Sequence, residues 1–357
     1  MTVVEGARDG RAYCEEVLPR VSRTFAVCIR LLPSGLEHSV LIAYLLCRIA
    51  DTFEDTLSLP AGERAQLLDH LARCLEDEGP SGDRITAAFP HPTSSEEELV
   101  ASADIVLDQY RRLPTSHREA VRPWIQEMCE GMAGFVRRRG DAPTRTIEAL
   151  STVDELERYC YYVAGTVGQL LTALFREHFG PSYRARYDDL ARLAASFGVG
   201  LQLTNIIKDV ADDRQRGWSF VPRQLCDAAG IHPEDLQNGR HPEAARRVMA
   251  ALIDKAKGHL RDALEYSTTL PRRFPEVRQF CLSSLFFAVR TLRLAESDRR
   301  LLDPTHKVKI SRKDVFRTLR TTRLVARSNS LVRLYFRWLA GERWPRPARS
   351  LAIDGTT

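Results

Sequence analysis

Apolar residues recur at three- and four-residue spacing along nearly the whole chain, and alternating apolar-polar runs are hard to find. That periodicity stacks the apolar side chains of each segment on one helical face, so an all-α fold is expected. Glycine and proline gather at Leu32-Pro33-Ser34-Gly35, Gly79 to Pro92, Gly140 to Pro143, Gly180-Pro181, Gly217 to Pro222, Gly230 to Pro242, Pro271 and Pro275, and Asp303-Pro304. Helices of about 12 to 30 residues are expected between these breaks. Thr152-x-x-Glu155 and Ser311-x-x-Asp314 have capping-box spacing, which sets helix starts near 152 and 311. No linker is long or biased enough to divide the chain. The expected organisation is an N-terminal segment (1–19), one helical domain (20–325) and a C-terminal aromatic and basic helix with its tail (326–357).

Composition narrows the functional classes. With 357 residues, 44% hydrophobic and 28% charged, the chain can bury a large core and is neither disordered nor fibrous. Its 52 Lys+Arg against 47 Asp+Glu are spread along the length, without the basic block that a nucleic-acid partner calls for; none is expected. The eight cysteines are scattered, form no C-x-x-C pair and sit in apolar helical patterns, as buried thiols do in a reducing compartment. A cytoplasmic, monomeric protein is expected. The first twenty residues hold no apolar signal core, and the longest apolar run, Val40 to Cys47, stops after eight residues, so no membrane span is expected. From Leu331 onward Tyr335, Phe336, Trp338 and Trp344 alternate with arginines. Two readings of that tail stand side by side: peripheral contact with a membrane surface, or a last helix docking its aromatics on the core.

Two polar stripes interrupt the apolar faces. Tyr44, Arg48, Asp51 and Asp55 fall at steps of 4, 3 and 4 amid Leu45, Leu46, Ile49 and Phe53; Gln202, Asn205, Asp209 and Asp213 fall at steps of 3, 4 and 4 amid Leu201, Leu203, Ile206 and Ile207. Each set occupies one helical face. Carboxylates four apart on a helix repel, and something should offset that repulsion. Oxygen-only carboxylate pairs suit Mg²⁺, which keeps several waters and is bound by one or two carboxylates together with substrate phosphates. One D-x-x-x-D alone reads as a solvated acidic face, whereas two copies continued by Tyr, Arg, Gln and Asn favour metal. The segment with Tyr159, Val163, Ala164, Gly165 and Gly168 has small residues that let a backbone or a hydrocarbon approach; tight helix packing is the plainer account. An apolar cavity with a metal-diphosphate mouth is the physical signature of prenyl diphosphate chemistry, since the metal stabilises the departing diphosphate and the apolar wall keeps water off a carbocation.

The chain resembles the squalene/phytoene synthase family of head-to-head prenyl transferases over roughly residues 20–320. The resemblance rests on Ser22-Arg23-Thr24-Phe25, YLLCRIADTFED (44–55), Met128 to Phe135, YCYYVAGTVG (159–168), QLTNIIKDVADD (202–213) and Lys307 to Ile310. YCYYVAGTVG, Phe280-Cys281 and the KVKI segment look more like squalene synthases than phytoene synthases. The resemblance implies a single-domain isoprenoid-synthase-type helical bundle around a central apolar cavity. It also implies Mg²⁺ at Asp51, Asp55, Asp209 and Asp213, and a diphosphate held by Arg23 and Arg48, with Lys208 in a matching basic position. Tyr159 resembles a tyrosine implicated in proton removal. Phe25, Tyr44 and Phe280 resemble cavity-lining residues, with Ser22, Val163, Gln202 and Asn205 among the substrate-binding positions. Asn205 and Lys309 match positions near a nicotinamide cofactor, NADPH. The substrate implied is farnesyl diphosphate, condensed in pairs through presqualene diphosphate and reduced to squalene.

Departures from the pattern keep other products open. Trp218 stands where many relatives carry a diphosphate-directed arginine, with Arg214 and Arg216 nearby as substitutes; Ser311 replaces a basic residue near the cofactor, and Ser284 a proline. Phytoene or dehydrosqualene, or arrest at presqualene diphosphate or hydroxysqualene, are the alternatives, and a non-catalytic helical binding protein of the same fold is the rival from another class.

Overall fold

Almost all of the chain folds into helix, as the periodicity predicts. The structure is a computed structural model that describes residues 9–141, 148–215, 217–341 and 344. The side chain of Arg23, all of Arg216 and the tail beyond Trp344 lie outside the described residues.

Two units form the chain, one comprising residues 1–140 and 173–180, the other 141–172 and 181–357. The first holds α1 (Gly10–Val21), α2 (Arg23–Ile29), α3 (Ser34–Asp55), α4 (Ala61–Cys74), α5 (Asp83–Thr86), α6 (Ser95–Ala101), α7 (Ala103–Arg111) and α8 (Thr115–Arg139). Its core is built on α3, which packs against α4, α6, α7 and α8. Leu45, Leu46, Ile49 and Phe53, the residues flanking the first polar stripe, are fully buried, each contributing about 1.5–3 kcal/mol through removal from water. Phe53 also stacks on Phe89 at 6.4 Å.

The second unit begins with α9 (Val153–Cys160) and a π-helical turn, Tyr161–Gly165, which runs into α10 (Thr166–Phe179). It continues through α11 (Tyr187–Gln215), α12 (Arg223–Ala228), α13 (Pro242–Thr269), α14 (Pro275–Ser297), α15 (Arg312–Val325) and α16 (Asn329–Ala340). The two-residue strands β1 (Glu148–Ala149) and β2 (Trp218–Ser219) pair in parallel. α11 and α13 form the most extensive helix pair in this unit. By length and composition α11 is apolar enough to cross a membrane, contrary to the expectation that no segment is; more than half of that stretch is buried in the fold, which is the situation of a core helix.

Both predicted N-caps form: Thr152 accepts from the Glu155 amide at 3.1 Å and Ser311 from the Asp314 amide at 3.1 Å. Breaks that the glycine-proline pattern did not mark fall at other serines. Ser22 ends α1 and caps α2 through the Phe25 amide, and Ser328 caps α16 through that of Leu331. Arg278, fully buried, ties the second unit together by donating to the carbonyls of Thr268, Leu270 and Ala326 and, at 2.6 Å, to Asn329 Oδ1. It joins the end of α13 to the α15–α16 junction, and burial lowers its pKa to about 10.

Candidate active site

In the first unit the predicted residues form one cluster on α2 and α3. Ser22 caps α2, and burial pushes the phenol of Tyr44 up to about 12. The rings of Phe25 and Tyr44 lie 5.8 Å apart. One turn on, the Arg48 guanidinium donates to Glu96 Oε1 at 2.9 Å and stands 3.8 Å from Asp51 Oδ2. Arg48 Nε–H is buried without an acceptor, an arrangement that normally costs a kcal/mol or more, on the order of the desolvation of one donor. Burial raises the Asp51 carboxyl to about 7; Arg48 opposes the shift and Asp55, one turn further, adds to it. The helix therefore holds one guanidinium N–H short of an acceptor beside a desolvated carboxyl whose nearest cation, Arg48, stands 3.8 Å away. A metal-bound diphosphate supplies both an acceptor and a cation, so these residues fit the group.

Glu96 is the residue that sequence reasoning missed. It lies in the first turn of α6 beside Glu97 and Glu98, where acidic residues favour the helix N-terminus, and nothing in the sequence distinguishes it from its neighbours.

In the second unit Tyr159 is buried at the end of α9 with its ring stacked on Phe220 at 4.7 Å. The small residues that follow serve helix packing: a Cβ on Gly168 would lie 2.0 Å from the Ala194 carbonyl oxygen, and one on Gly198 1.9 Å from that of Ala164. Val163 sits half-buried in the π-helical turn. Along α11, Gln202, Lys208, Asp209 and Asp213 are half-buried and Asn205 is exposed. Lys208 is ion-paired with Asp209, and Lys307 with Asp212 at 2.7 Å. The Lys307–Asp212 pair fastens the KVKI segment to the helix that carries Asn205; Lys309, two residues on, is exposed. Phe280 is buried in α14.

Arg214, one of the two arginines near the position of the missing diphosphate arginine, is turned to the loop after α12. Its guanidinium donates to the carbonyls of Pro233, at 2.7 Å, and Glu234, two of its five donors. Trp218 is buried beside Phe220, as an indole prefers and a guanidinium does not. Among the described residues no three His, Cys, Asp or Glu side chains gather into a self-sufficient metal cage; carboxylate pairs that share a metal with substrate phosphates need none. A cavity of 470 Å³ in the second unit, lined by Tyr183, Arg186, residues 268–272 and Asn329, holds none of the predicted residues.

Comparison with known proteins places the chain in a family. The family model for squalene/phytoene synthase matches residues 18–314. The chain is 30% identical over 282 residues to a squalene synthase of Schizosaccharomyces pombe, covering 78% of this chain and 58% of that protein. It is 28% identical to the inactive squalene synthase 2 of Arabidopsis thaliana, covering 79% and 64%. The fold superposes on the solved structure of TcSQS with the ligand BPH1237 with a TM-score of 0.76 at 25% identity, covering 93% of this chain and 98% of that one. The chain spans less than two thirds of the length of these curated relatives. With a family model matched over most of its length and the motif residues set on the helices described, the chain belongs to the squalene/phytoene synthase family.

Proposed function

We propose that the protein is a squalene synthase, a prenyltransferase that joins two farnesyl diphosphates head to head through presqualene diphosphate and then reduces the product to squalene. The observation that carries this reading is the polar pair on α3, where Arg48 Nε–H is buried without an acceptor and the half-buried Asp51 carboxyl is raised to about 7 by desolvation. A Mg²⁺-bound diphosphate answers both needs at once. The inactive relative shows that likeness at this level does not by itself carry activity, so the reading stands on the residues.

In this reading Asp51, Asp55, Asp209 and Asp213 hold Mg²⁺, which when bound draws charge from the departing diphosphate. Arg23, Arg48 and Lys208 bind diphosphate oxygens, and Arg48 spends its Nε–H there. Ser22, Phe25, Tyr44, Val163, Gln202 and Phe280 border the prenyl chains. Loss of the proton as the cyclopropane ring closes is assisted by Tyr159, buried against Phe220, or by the released diphosphate, which can accept the proton. Asn205 and Lys309 hold NADPH, which when bound supplies the hydride of the second half-reaction. The cytoplasmic location, monomeric state and peripheral membrane contact belong to the same reading.

The test is incubation of the purified protein with farnesyl diphosphate and Mg²⁺, with and without NADPH, and identification of products by mass spectrometry. Squalene formed only with NADPH is the expected result. Presqualene diphosphate or hydroxysqualene in both tubes makes it a half-reaction enzyme, dehydrosqualene one without the reductive step, and phytoene from geranylgeranyl diphosphate a different chain length. No turnover of either substrate leaves a helical binding protein.

A further inference from the structure

The outer face of α15 and α16 combines two features that soluble surfaces rarely bring together. On α15, Thr318, Thr322 and Val325 are buried, while the exposed side carries Arg312, Lys313, Arg317, Arg320 and Arg323 with no exposed acid among them. The one acid of this helix, Asp314, is turned to Ser311 and Arg290. Between the cations stand Phe316, 71% exposed, and Leu324, 72% exposed. α16 has two apolar stripes instead of one. Val332, Phe336 and Leu339 face the core, and Leu331, Leu334 and Trp338, at steps of 3 and 4, recur on the opposite side and are 48%, 56% and 60% exposed.

One side chain of α14 fixes the two helices together. Arg290 donates to Thr318 Oγ1 of α15 at 2.9 Å and to the Tyr335 hydroxyl of α16 at 3.0 Å, and Tyr335 stacks on Trp338 at 5.6 Å. Arg278 anchors the α15–α16 junction from below through Ala326 and Asn329. Both helices thus lay one face on α14 and turn the other outward.

We propose that this outward face docks on an anionic lipid bilayer, the leucines and aromatics entering the headgroup boundary and the cations meeting lipid phosphates. Charge complementarity selects this occupant. A second copy of the chain, packed through the same patch, would set cations against cations. Nucleic acid would use the arginines but leave Leu331, Leu334 and Trp338 unexplained. The inference extends the sequence reading of the tail to α15, and it concerns lipid alone, so it stands or falls without any substrate.

The test is co-sedimentation of the full chain with phosphatidylcholine vesicles, with and without a quarter phosphatidylglycerol, at low and high salt. Binding only to the anionic vesicles, weakened by salt, and a blue shift of tryptophan emission that Trp338→Phe removes are expected. Arg320→Gln with Arg323→Gln should lower partitioning roughly thirtyfold, and Leu334→Ser with Trp338→Ser about tenfold or more; unchanged circular dichroism melting shows that these exposed variants still fold. Equal binding to neutral vesicles, or none to either, overturns the proposal. So does a duplex oligonucleotide that binds through the arginines while Leu334→Ser with Trp338→Ser changes nothing, or a dimer by light scattering that the same pair dissolves.

Discussion

The two aspartate helices, one in each unit, carry similar stripes and are held in opposite ways. α3 is clamped by large side chains: Leu45, Leu46, Ile49 and Phe53 are fully buried on either side of its polar face, and Asp51 stands half-buried beside them. α11 is held by the absence of side chains, since Gly198 brings its backbone against the Ala164 carbonyl and a Cβ on Gly200 would lie 3.0 Å from His259 Cβ. Its Asp209 is 42% exposed and has Lys208 as a partner. The same spacing of carboxylates therefore produces an electrostatically strained acid on one helix and a hydrated, paired one on the other. Variants should break the two helices by different routes.

The largest effects separate charge from packing at these sites. Asp51→Asn and Asp209→Asn should each lower product formation by about 10³-fold, the several kcal/mol that a misplaced metal costs. Their stabilities should diverge. The Asp51 carboxyl is raised from 3.8 to about 7, so its penalty is absent below pH 3.8, grows as pH rises and is complete above pH 7. Asp51→Asn should gain on the order of 1–2 kcal/mol at pH 8 in metal-free protein, after allowance for the part of the side chain that water screens, and nothing at pH 4. Asp209→Asn removes a carboxylate that is 42% exposed and ion-paired with Lys208, so it should lose that pair and relieve little burial. Thermal melting across that range checks both, and an Asp51→Asn variant with an unchanged pH profile would break the contrast.

Next in size is the glycine packing. Gly198→Ala forces a Cβ to within 1.9 Å of a carbonyl oxygen, and moving one helix away from another costs about 3 kcal/mol or more through lost contacts. Gly134, inside α8, has nothing within 4 Å of an added Cβ; Gly134→Ala should stabilise by about 0.5–1 kcal/mol through helix propensity and a less flexible unfolded chain. Denaturant midpoints of the two variants should move in opposite directions.

These differences explain what the sequence could reveal. The stripes, the caps at Thr152 and Ser311 and the all-α fold were legible because they depend on spacing within a segment of a few turns. Arg48 was legible as part of its stripe, but Glu96 was not, because its pairing spans 48 residues and any of three consecutive glutamates has the right charge. Arg278 looks like any helical arginine until three carbonyls from the ends of two other helices close round it. Arg214 shows a further limit, for its nearness in sequence to Trp218 says nothing of the loop carbonyls at 233 and 234 to which the fold turns two of its donors.

Glu96 offers a finer cut at the α3 side of the comparison. Its carboxylate holds one amino group of Arg48 at 2.9 Å and so fixes where the unpaired Nε–H points. Glu96→Gln keeps the size and loses the charge. It should raise the KM for farnesyl diphosphate about fivefold, roughly 1 kcal/mol for one charge-assisted hydrogen bond at a partly exposed site, and leave kcat within about twofold. A loss confined to kcat would mean that Arg48 acts in the transition state and not in binding.

The smallest predicted effect turns on a second buried acid whose shift has the opposite sign to that of Asp51. Burial alone would push Glu157 up, but the hydrogen bonds from His259, at 3.2 Å, and Lys255, at 2.8 Å, outweigh it and hold the carboxyl below its ordinary 4.5. His259 in turn shares Ser196 Oγ, at 2.8 Å, with Asp262, which binds the same hydroxyl at 2.7 Å and whose own carboxyl burial pushes up. For a lowered acid the stabilisation is present above the unfolded value and is lost as pH falls through the folded one. Glu157 should therefore support the second unit fully at pH 5 and above and cease to do so well below pH 4.5, where the strained Asp51 no longer costs anything. Glu157→Gln should flatten that acid limb by about 0.5 kcal/mol, readable as a smaller drop in melting temperature between pH 5 and pH 3, whereas Asp51→Asn should flatten only the limb between pH 4 and pH 7. Two acids buried in one chain then titrate its stability in opposite directions, and the double variant should show both limbs flattened independently, because the two groups lie in separate units and share no partner.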